Sequence, residues 1–375
     1  MSYILAFAEM MAAVFSRKSK LISIIIAVTL IIMIGWSSGT ADFSNNEGRY
    51  IYYDTEWINS ITEPLYTLIM KTFNSFGMPF RTFLVLEAVF IVSVFLWFIQ
   101  KESDSTNYVL MLYFIWPFCR DAVVLRTTLA TTFLYIAFHF YLKSGKRNLV
   151  WFSLVVFTAG MIHYGMLFYL VLFIPALIPS KEDIVHNRAT RLFVYIFVAE
   201  LFFFKVFPQL PFTGVLVNKI NFVLKRSVET SGIITAPGAL RTLFMFILYY
   251  FLHRQVRQKL KRDAAGNKEK LEKIHKIFYI NLYQMLCIPL YNYVPDLWRL
   301  HQALMILNYV EFSFYLNSYS RHKYKRSELI FIAESVGYGF IYLFIIVLKT
   351  DQFWTVLRPL FENNVLFQNI VPELY

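Results

Sequence analysis

Residues 16–36 read SRKSKLISIIIAVTLIIMIGW, a basic cluster followed by an almost uninterrupted apolar run. About 20 apolar residues are needed for a helix to cross a bilayer. Lys and Arg collect in the cytoplasmic loops of membrane proteins. The stretch therefore predicts a membrane-spanning helix, with residues 16–20 inside the cell and the loop that follows residue 38 outside.

The rest of the chain repeats this pattern of long apolar runs. Of its 375 residues, 58% are hydrophobic and 16% are charged, and the mean hydropathy is +0.51. A soluble domain carries about 25% charged residues. We therefore expect an all-α, polytopic integral membrane protein, with one domain over residues 1–375 and about 11–12 transmembrane helices. The predicted spans are 21–38, 82–99, 107–119, 123–142, 148–162, 164–179, 191–207, 238–252, 277–292, 299–317 and 329–348, and residues 2–15 form a further short span or an interfacial helix.

The distribution of charge predicts which loops share a side. A net charge of +12 would suggest nucleic acid in a soluble protein. Here most Lys and Arg fall in loops that alternating spans place inside, so no nucleic-acid partner is predicted. The inside loops are 100–106, 143–147, 180–191, 318–326 and the strongly basic 253–276. The outside segments are the loops 39–81 and 208–237 and the tail 349–375, and residues 63–80 are interpreted as a helix along the outer interface.

Arg126 is a charge that topology alone does not explain. It ends RDAVVLR (120–126), at the predicted outer end of the span 123–142. An Arg near the centre of a membrane helix costs about 2.5–3.5 kcal/mol, and less where the side chain reaches an interface. Two interpretations stay open: a snorkelling or ion-paired arginine, with Asp121 as one partner, or an anion site in a polar cavity.

His163 lies between two apolar runs, in AGMIHYG (159–165). A single histidine in such a place is usually a packing residue. One helical hairpin returns the chain from Arg126 to the same predicted side, so the two side chains share the outer face. This shared placement favours a functional role for His163.

The outer loop 39–66 mixes carboxylates with aromatic residues. Sugar rings stack on aromatic faces and their hydroxyl groups need acceptors, so this mixture suits a carbohydrate site. Aromatic residues are also common at membrane interfaces, which is the alternative explanation. The polar and aromatic residues of the loop are Asp42, Glu47, Arg49, Tyr50, Tyr52, Tyr53, Asp54, Trp57 and Glu63.

A second polar group follows late in the chain, in YNYVPDLWRLHQAL (291–304). Asp296, Arg299 and His301 fall at the outer end of a predicted span. Asp296 and Arg299 have the i,i+3 spacing of a structural ion pair, which is the alternative to a binding role.

Several motifs of soluble chemistry are absent from the sequence. It has no HExxH, GxxxxGK[ST], GxGxxG or DxD pattern and no Cys/His cluster. The two cysteines, Cys119 and Cys287, lie in apolar segments and are given no role. We therefore predict no metal and no cofactor, and chemistry on a membrane-borne donor at the outer side.

Three sets of residues resemble the EpsG/Wzy-type family of bacterial polysaccharide polymerases. In the outer loop, Asp42, Tyr50 and Tyr53 lead into EPLY (63–66), which is similar to the family's D…Y…Y…EP-aromatic pattern. RTTLA (126–130), the basic turn 143–147 and His163 match an R-x-x-L-A, basic turn, H order. The aromatic-rich approach to Arg299 is similar to a late arginine of the family.

This resemblance implies a membrane glycosyltransferase of GT-C-like architecture. It would join undecaprenyl-pyrophosphate-linked oligosaccharide repeat units into capsule, exopolysaccharide or O-antigen at the outer face of the bacterial cytoplasmic membrane. Its partners would be the lipid-linked donor and acceptor, membrane lipid, a flippase and a chain-length regulator. A related ligase or decorating glycosyl or acyl transferase, and a flippase for lipid-linked glycans, stay open as alternatives.

The implied reaction assigns expected roles to the candidate residues. Guanidinium groups bind pyrophosphate oxygens in pairs and stay charged, so Arg126 and Arg299 are expected to hold the leaving group. His163 or Glu63 is expected to act as general base toward the acceptor hydroxyl. The remaining substrate-binding candidates, which would contact the sugars, are Asp42, Arg49, Tyr50, Tyr53 and Trp57.

Overall fold

A computed structural model describes residues 3–16, 19–38, 40, 42–52, 63–143, 145–172, 195, 236–262, 268–285, 298–316 and 324–368. These residues are helical or lie in short connections, apart from one isolated bridge between Ser37 and Asn364. The predicted all-α class is confirmed over these ranges. The predicted loop 180–191 lies outside them, as do the predicted span 191–207 apart from Tyr195, and the loop 208–237 up to residue 235.

The helices follow the apolar runs of the sequence. A 3-10 helix covers Tyr164–Leu172, and π-helices cover Phe344–Leu348 and Phe353–Leu357. The α-helices are α1 (Tyr3–Phe15), α2 (Lys20–Gly35), α3 (Phe43–Ile51), α4 (Pro64–Ser75), α5 (Phe80–Glu102), α6 (Thr106–Ile115), α7 (Phe118–Asp121), α8 (Leu125–Leu142), α9 (Lys146–Ile162), α10 (Ala236–Arg262), α11 (Lys268–Gln284), α12 (Trp298–Ala303), α13 (Met305–Ser313), α14 (Arg326–Leu343), α15 (Arg358–Glu362) and α16 (Val365–Gln368).

Two of the described helical segments are long and apolar enough to cross a membrane. They are Phe80–Glu102 and Arg326–Leu348, and two shorter apolar helices are Lys20–Gly35 and Thr106–Ile115. The predicted spans 82–99 and 329–348 fall within the two long segments. The described residues are therefore helical with two candidate membrane spans, and the polytopic architecture with its larger number of spans stays a prediction.

The chain divides into two compact units, residues 1–170 with 309–375, and residues 171–308. Within the second unit, α10 packs against α11, where the rings of His253 and Phe278 stack with centroids 4.6 Å apart. In the same unit, Asn281 and Asn308 exchange two amide hydrogen bonds, of 2.7 and 3.2 Å.

At one end of the first unit, the C-terminal segment closes over the end of α2. The backbone of Ser38 donates a hydrogen bond to the carbonyl of Asn363 (3.0 Å), and the backbone of Val365 donates one to the carbonyl of Trp36 (2.9 Å). The Arg81 guanidinium at the start of α5 donates to the carbonyl of Ser37 (2.6 Å). The segments predicted to lie outside therefore meet at one end.

At the opposite end, the connections predicted to lie inside meet each other. Asn107, at the start of α6, donates a hydrogen bond from its side chain to the carbonyl of Ser19 (3.1 Å). The backbone of Asp104 donates to the Ser313 hydroxyl (3.0 Å), and the Tyr324 hydroxyl donates to the carbonyl of Val14. This grouping agrees with alternating spans, and the side of the membrane that each end faces stays a prediction.

Between the two ends, α5 lies beside both α2 and α8. A Cβ at Gly35 would lie only 3.0 Å from Cγ2 of Val85, so this glycine lets the backbones of α2 and α5 approach closely. Along α8, the rings of Phe98 and Tyr135 stack with centroids 5.2 Å apart. These contacts hold the start of α8, which carries Arg126, in a defined place.

Candidate active site

The candidate site is built around Glu63, which occupies the N-cap position of α4. The first helical residue is Pro64, which has no backbone N–H to be capped. The Glu63 carboxylate makes no capping hydrogen bond, although the residue is only 5% exposed. Both of its oxygens therefore remain available to residues from other helices.

Arg126 provides the first partner of this carboxylate. It is the second residue of α8, and its Nη1 forms an ion pair with Oε2 of Glu63. The side chain of Arg126 is 24% exposed, against 6% for Glu63. A guanidinium has five N–H donors in a planar fork, so one end can hold Glu63 while others face a ligand. Glu63, and not Asp121, is thus the ion-pair partner that the sequence left open.

His163 provides the second partner. It is the C-cap residue of α9, with an extended backbone (φ −146°, ψ 109°), and is 7% exposed. Its Nδ1 lies 2.9 Å from Oε1 of Glu63. Because a carboxylate paired with an arginine is only an acceptor, Nδ1 must be the donor in this contact. The neutral ring then carries its free lone pair on Nε2.

The surroundings of Nε2 differ from those of Nδ1. Among the described residues, none forms a hydrogen bond with Nε2. Gly165 follows two residues later, and a Cβ added to it would lie 3.6 Å from Nε2. A glycine here means that no side chain covers this nitrogen from that direction.

Arg49, in α3, adds a second positive charge to the neighbourhood. Burial lowers its pKa from the ordinary value, the charge of Arg126 lowers it further, and the carboxylates of Glu63 and Asp42 oppose both effects. An arginine stays charged in proteins even so. Glu63 therefore interacts electrostatically with two guanidinium groups, those of Arg49 and Arg126. Asp42, the N-cap residue of α3, is a second carboxylate that interacts with Arg49.

Tyr66, in the first turn of α4, completes the surroundings. The sequence marked it only as the aromatic residue of the EP-aromatic pattern and gave it no role. It is 3% exposed. Burial raises the pKa of its hydroxyl well above the ordinary value, as does the negative charge of Glu87 on α5, while Arg126 and Arg49 act in the opposite direction. Tyr66 is therefore a neutral phenol that interacts electrostatically with both arginines and with Glu87.

The other predicted substrate-binding residues are placed differently. Tyr50 is 2% exposed, its ring stacks on Phe83 with centroids 5.2 Å apart, and its hydroxyl donates to the carbonyl of Met78 (2.8 Å). It is a core residue that ties α3 to the start of α5, not an exposed platform for a sugar. Tyr53 and Trp57 lie outside the described residues. Arg299 belongs to the second unit, so its part in the site stays a prediction.

The placement of the cluster follows from helix packing. Glu63, Arg126 and His163 come from the start of α4, the start of α8 and the end of α9, and α9 packs against both α4 and α8. Their side chains can bind an anion with the arginines and accept a proton at Nε2 of His163. Sequence reasoning proposed all three residues, but it missed Glu87, whose signal was a carboxylate in the apolar run 82–99.

Comparison with known proteins identifies the family of the chain. A model of the EpsG family matches residues 20–357, nearly the whole chain. No curated protein and no solved structure matches significantly. The chain belongs to the EpsG family.

Proposed function

We propose that this member of the EpsG family is a polysaccharide polymerase, a glycosyltransferase that joins undecaprenyl-pyrophosphate-linked oligosaccharide repeat units. Membership of the family suggests a function of the polysaccharide-polymerase type. The observation that carries the finer proposal is the bridging carboxylate of Glu63, which pairs with Arg126 through one oxygen and with His163 through the other. Glu63 thereby connects an anion-binding group, Arg126, to a proton acceptor, His163.

The arginines suit the leaving group of this reaction. A lipid pyrophosphate gains negative charge as the bond from the sugar to its oxygen breaks. Preorganised donors aimed at developing charge are usually the largest contribution to catalysis. Arg126 keeps N–H groups that Glu63 does not use, and Arg49 adds a second guanidinium nearby.

His163 is the general base in this proposal, and Glu63 orients it. Nε2 takes the proton of the acceptor sugar's hydroxyl while that oxygen bonds to the anomeric carbon of the donor. The bond from the anomeric carbon to the pyrophosphate breaks in the same reaction, and the lipid pyrophosphate leaves with the electron pair. Glu63 holds Nδ1–H and stabilises the imidazolium, as a carboxylate does in a catalytic triad. The imidazolium then returns its proton to the departing phosphate or to water.

The expected location is the bacterial cytoplasmic membrane, with the site open to the exterior. The donor's lipid tail would remain in the bilayer while its pyrophosphate reaches the arginines. The substrates are the growing lipid-linked chain and a new lipid-linked repeat unit. A flippase would supply the repeat unit, and a chain-length regulator would act on the product.

The test is a strain that lacks this chain and carries Arg126→Ala in its place. We expect single lipid-linked repeat units to accumulate and long chains to disappear, at normal protein abundance. Arg358→Ala is the matched control, because that side chain is 50% exposed and pairs with Glu362 within its own helix. Full-length polymer made by Arg126→Ala would contradict the proposal.

The same experiment separates the alternative activities by their products. A ligase defect would leave long chains on the lipid carrier. A decorating transferase defect would leave normal chains that lack one substituent. A flippase defect would leave repeat units facing the cytoplasm. Each of these outcomes would overturn the polymerase assignment.

A further inference from the structure

Glu87, on α5, is a buried carboxyl group that the proposed reaction does not use. It is 6% exposed, and among the described residues neither of its oxygens has a hydrogen-bond partner. Glu63 and Glu102 are equally buried, but each is bonded to a histidine. Burying an ionised or polar group without a partner is costly. Among the described residues, no hydrogen bond offsets the cost of burying the Glu87 carboxyl group, so its place in the fold calls for another reason.

The level of Glu87 along the helix bundle follows from the contacts between α5 and α8. The two helices run in the same direction, because Phe98 stacks on Tyr135 and Glu102 bonds to His139 one turn further along both helices. Both contacts join residues that lie 37 positions apart along the chain. Nearer the start of both helices, the ring of Phe90 contacts that of Phe133, an offset of 43 residues, with centroids 5.8 Å apart. Carried back along the helices, these two offsets bring Glu87 level with residues 124–130, at the start of α8, a segment that includes Arg126.

A second observation also puts Glu87 beside the site. Its charge acts on Tyr66, and so do the charges of Glu63, Arg126 and Arg49. Tyr66 is therefore close to both the cluster and Glu87. The helix that carries Tyr66 also packs against α5.

We propose that Glu87 is a substrate-binding residue whose carboxyl group hydrogen-bonds hydroxyl groups of the sugar attached directly to the lipid pyrophosphate. This inference rests on the proposed function. Sugar hydroxyls are donors, and an ionised carboxylate has only acceptor sites. Arg126 and Arg49 hold the pyrophosphate, and the next group along the donor is its first sugar ring. The Glu87 carboxyl lies near the level of Arg126 and has no hydrogen-bond partner among the described residues, so it lies where that ring's hydroxyls would arrive.

This role makes Glu87 a determinant of sugar specificity. A site built to hydrogen-bond a substrate hydroxyl rejects an analogue that lacks it, because its own buried polar group is then left unpaired. The arginines, in contrast, recognise the pyrophosphate whatever sugar it carries. Binding of the sugar and binding of the pyrophosphate should therefore respond to different substitutions.

The test compares two probes on purified, membrane-reconstituted protein. One is undecaprenyl pyrophosphate, and the other is the lipid-linked repeat unit extracted from a strain that lacks this chain. We expect Glu87→Leu to weaken binding of the repeat unit by about tenfold or more, the effect of losing one hydrogen bond to a charged group. Binding of undecaprenyl pyrophosphate should not change. Arg126→Ala should weaken binding of both probes.

Two further variants guard against a folding artefact. Glu87→Gln keeps the shape and one acceptor oxygen, so it should bind the repeat unit more tightly than Glu87→Leu and less tightly than the unchanged protein. Val89→Ala lies on the same helix at an exposed position and should bind both probes normally. Thermal unfolding should show Glu87→Leu to be at least as stable as the unchanged protein, since a buried unpaired carboxyl has been removed.

The outcomes distinguish this inference from the proposed function. Equal binding of the repeat unit by Glu87→Leu and the unchanged protein would overturn the role of Glu87 alone. Equal loss of both probes in Glu87→Leu would also overturn it, because the carboxyl would then support the whole site. If the unchanged protein bound neither probe, the proposed function would fail, and the role of Glu87 would fail with it.

Discussion

Among its described residues, the first unit contains two buried glutamate–histidine pairs, one joined to Arg126 at the start of α8 and one at the end of α8. In the Glu63 cluster (Glu63, Arg126 and His163), Nδ1 of the histidine lies 2.9 Å from the carboxylate. In the Glu102 pair (Glu102 and His139), the corresponding distance is 2.6 Å. The residue types and the bonded atoms are the same, so the pairing itself does not mark the functional site.

The surroundings of the two histidines are what differ. His139 lies within the last turn of α8, and its ring packs against Trp97 and Phe140, with centroids 4.9 and 5.7 Å away. His163 ends α9, and its ring meets that of Tyr164 edge to face, with centroids 5.4 Å apart. The residue after Tyr164 is Gly165, which has no side chain to cover Nε2 on that side. The carboxylate bonded to His163 is shared with a partly exposed arginine. A packed pair ties two helices together, whereas a pair that shares its carboxylate with a partly exposed arginine can meet a substrate.

Substitution of each histidine in turn should give the largest difference in activity between the two pairs. His163→Gln should lower the rate of polymerisation by about 10²–10⁴-fold, the usual contribution of a general base. His139→Gln should leave polymer synthesis nearly unchanged. The measurement is chain formation by purified protein from extracted lipid-linked repeat units, with protein abundance and thermal unfolding recorded alongside. Equal losses in the two variants would make both histidines structural.

Arg126→Lys should have the next largest effect. Lysine keeps the charge, but its three N–H donors share one nitrogen, so it cannot hold Glu63 and a phosphate oxygen with a planar fork. We expect the rate to fall by roughly tenfold, as for the loss of one charge-assisted hydrogen bond. Arg358→Lys is the control. Full activity in Arg126→Lys would mean that charge alone, without the fork, satisfies the site.

Gly165→Ala should have a smaller effect, confined to the approach to Nε2. The added methyl group would lie 3.6 Å from that nitrogen, an ordinary van der Waals contact, so the fold should tolerate it. We expect a few-fold rise in KM for the acceptor, within the range that a methyl group causes in a pocket, and an unchanged thermal unfolding temperature. Gly48→Ala is a control, since nothing lies within 4 Å of its added Cβ. A normal KM would show that the acceptor reaches His163 from another direction.

The smallest effect on activity is expected from replacing the whole Glu102 pair. Glu102→Leu with His139→Leu removes both polar groups together, which is often neutral or stabilising by about 1–4 kcal/mol. Glu102→Leu alone should destabilise by about 1–3 kcal/mol, because Nδ1 of His139 loses its partner. Thermal unfolding measures both variants. Loss of polymer synthesis in the stable double variant would give the Glu102 pair a functional role.

The predictability of the site differs from residue to residue. Arg126 stands out because a charge in an apolar run needs a reason, and this signal is local in the sequence. Glu87 carries the same signal, but its isolation from partners is visible only after α4, α5 and α8 have packed. Tyr50 illustrates the opposite case, because a tyrosine in a polar loop looks available to a sugar, yet aromatic packing on Phe83 buries it.

The amino-acid sequence by itself determines the helices, their order and the segments that share an end. Apolar runs and basic clusters are local properties, and backbone hydrogen bonds in an apolar medium are satisfied within each helix. The sequence also marks Arg126, His163 and Glu63 as candidates. Only the tertiary structure decides that Glu63 joins the other two, which lie 63 and 100 residues away along the chain. Such a choice of partner depends on helix packing, and no local pattern encodes which buried carboxylate finds which cation.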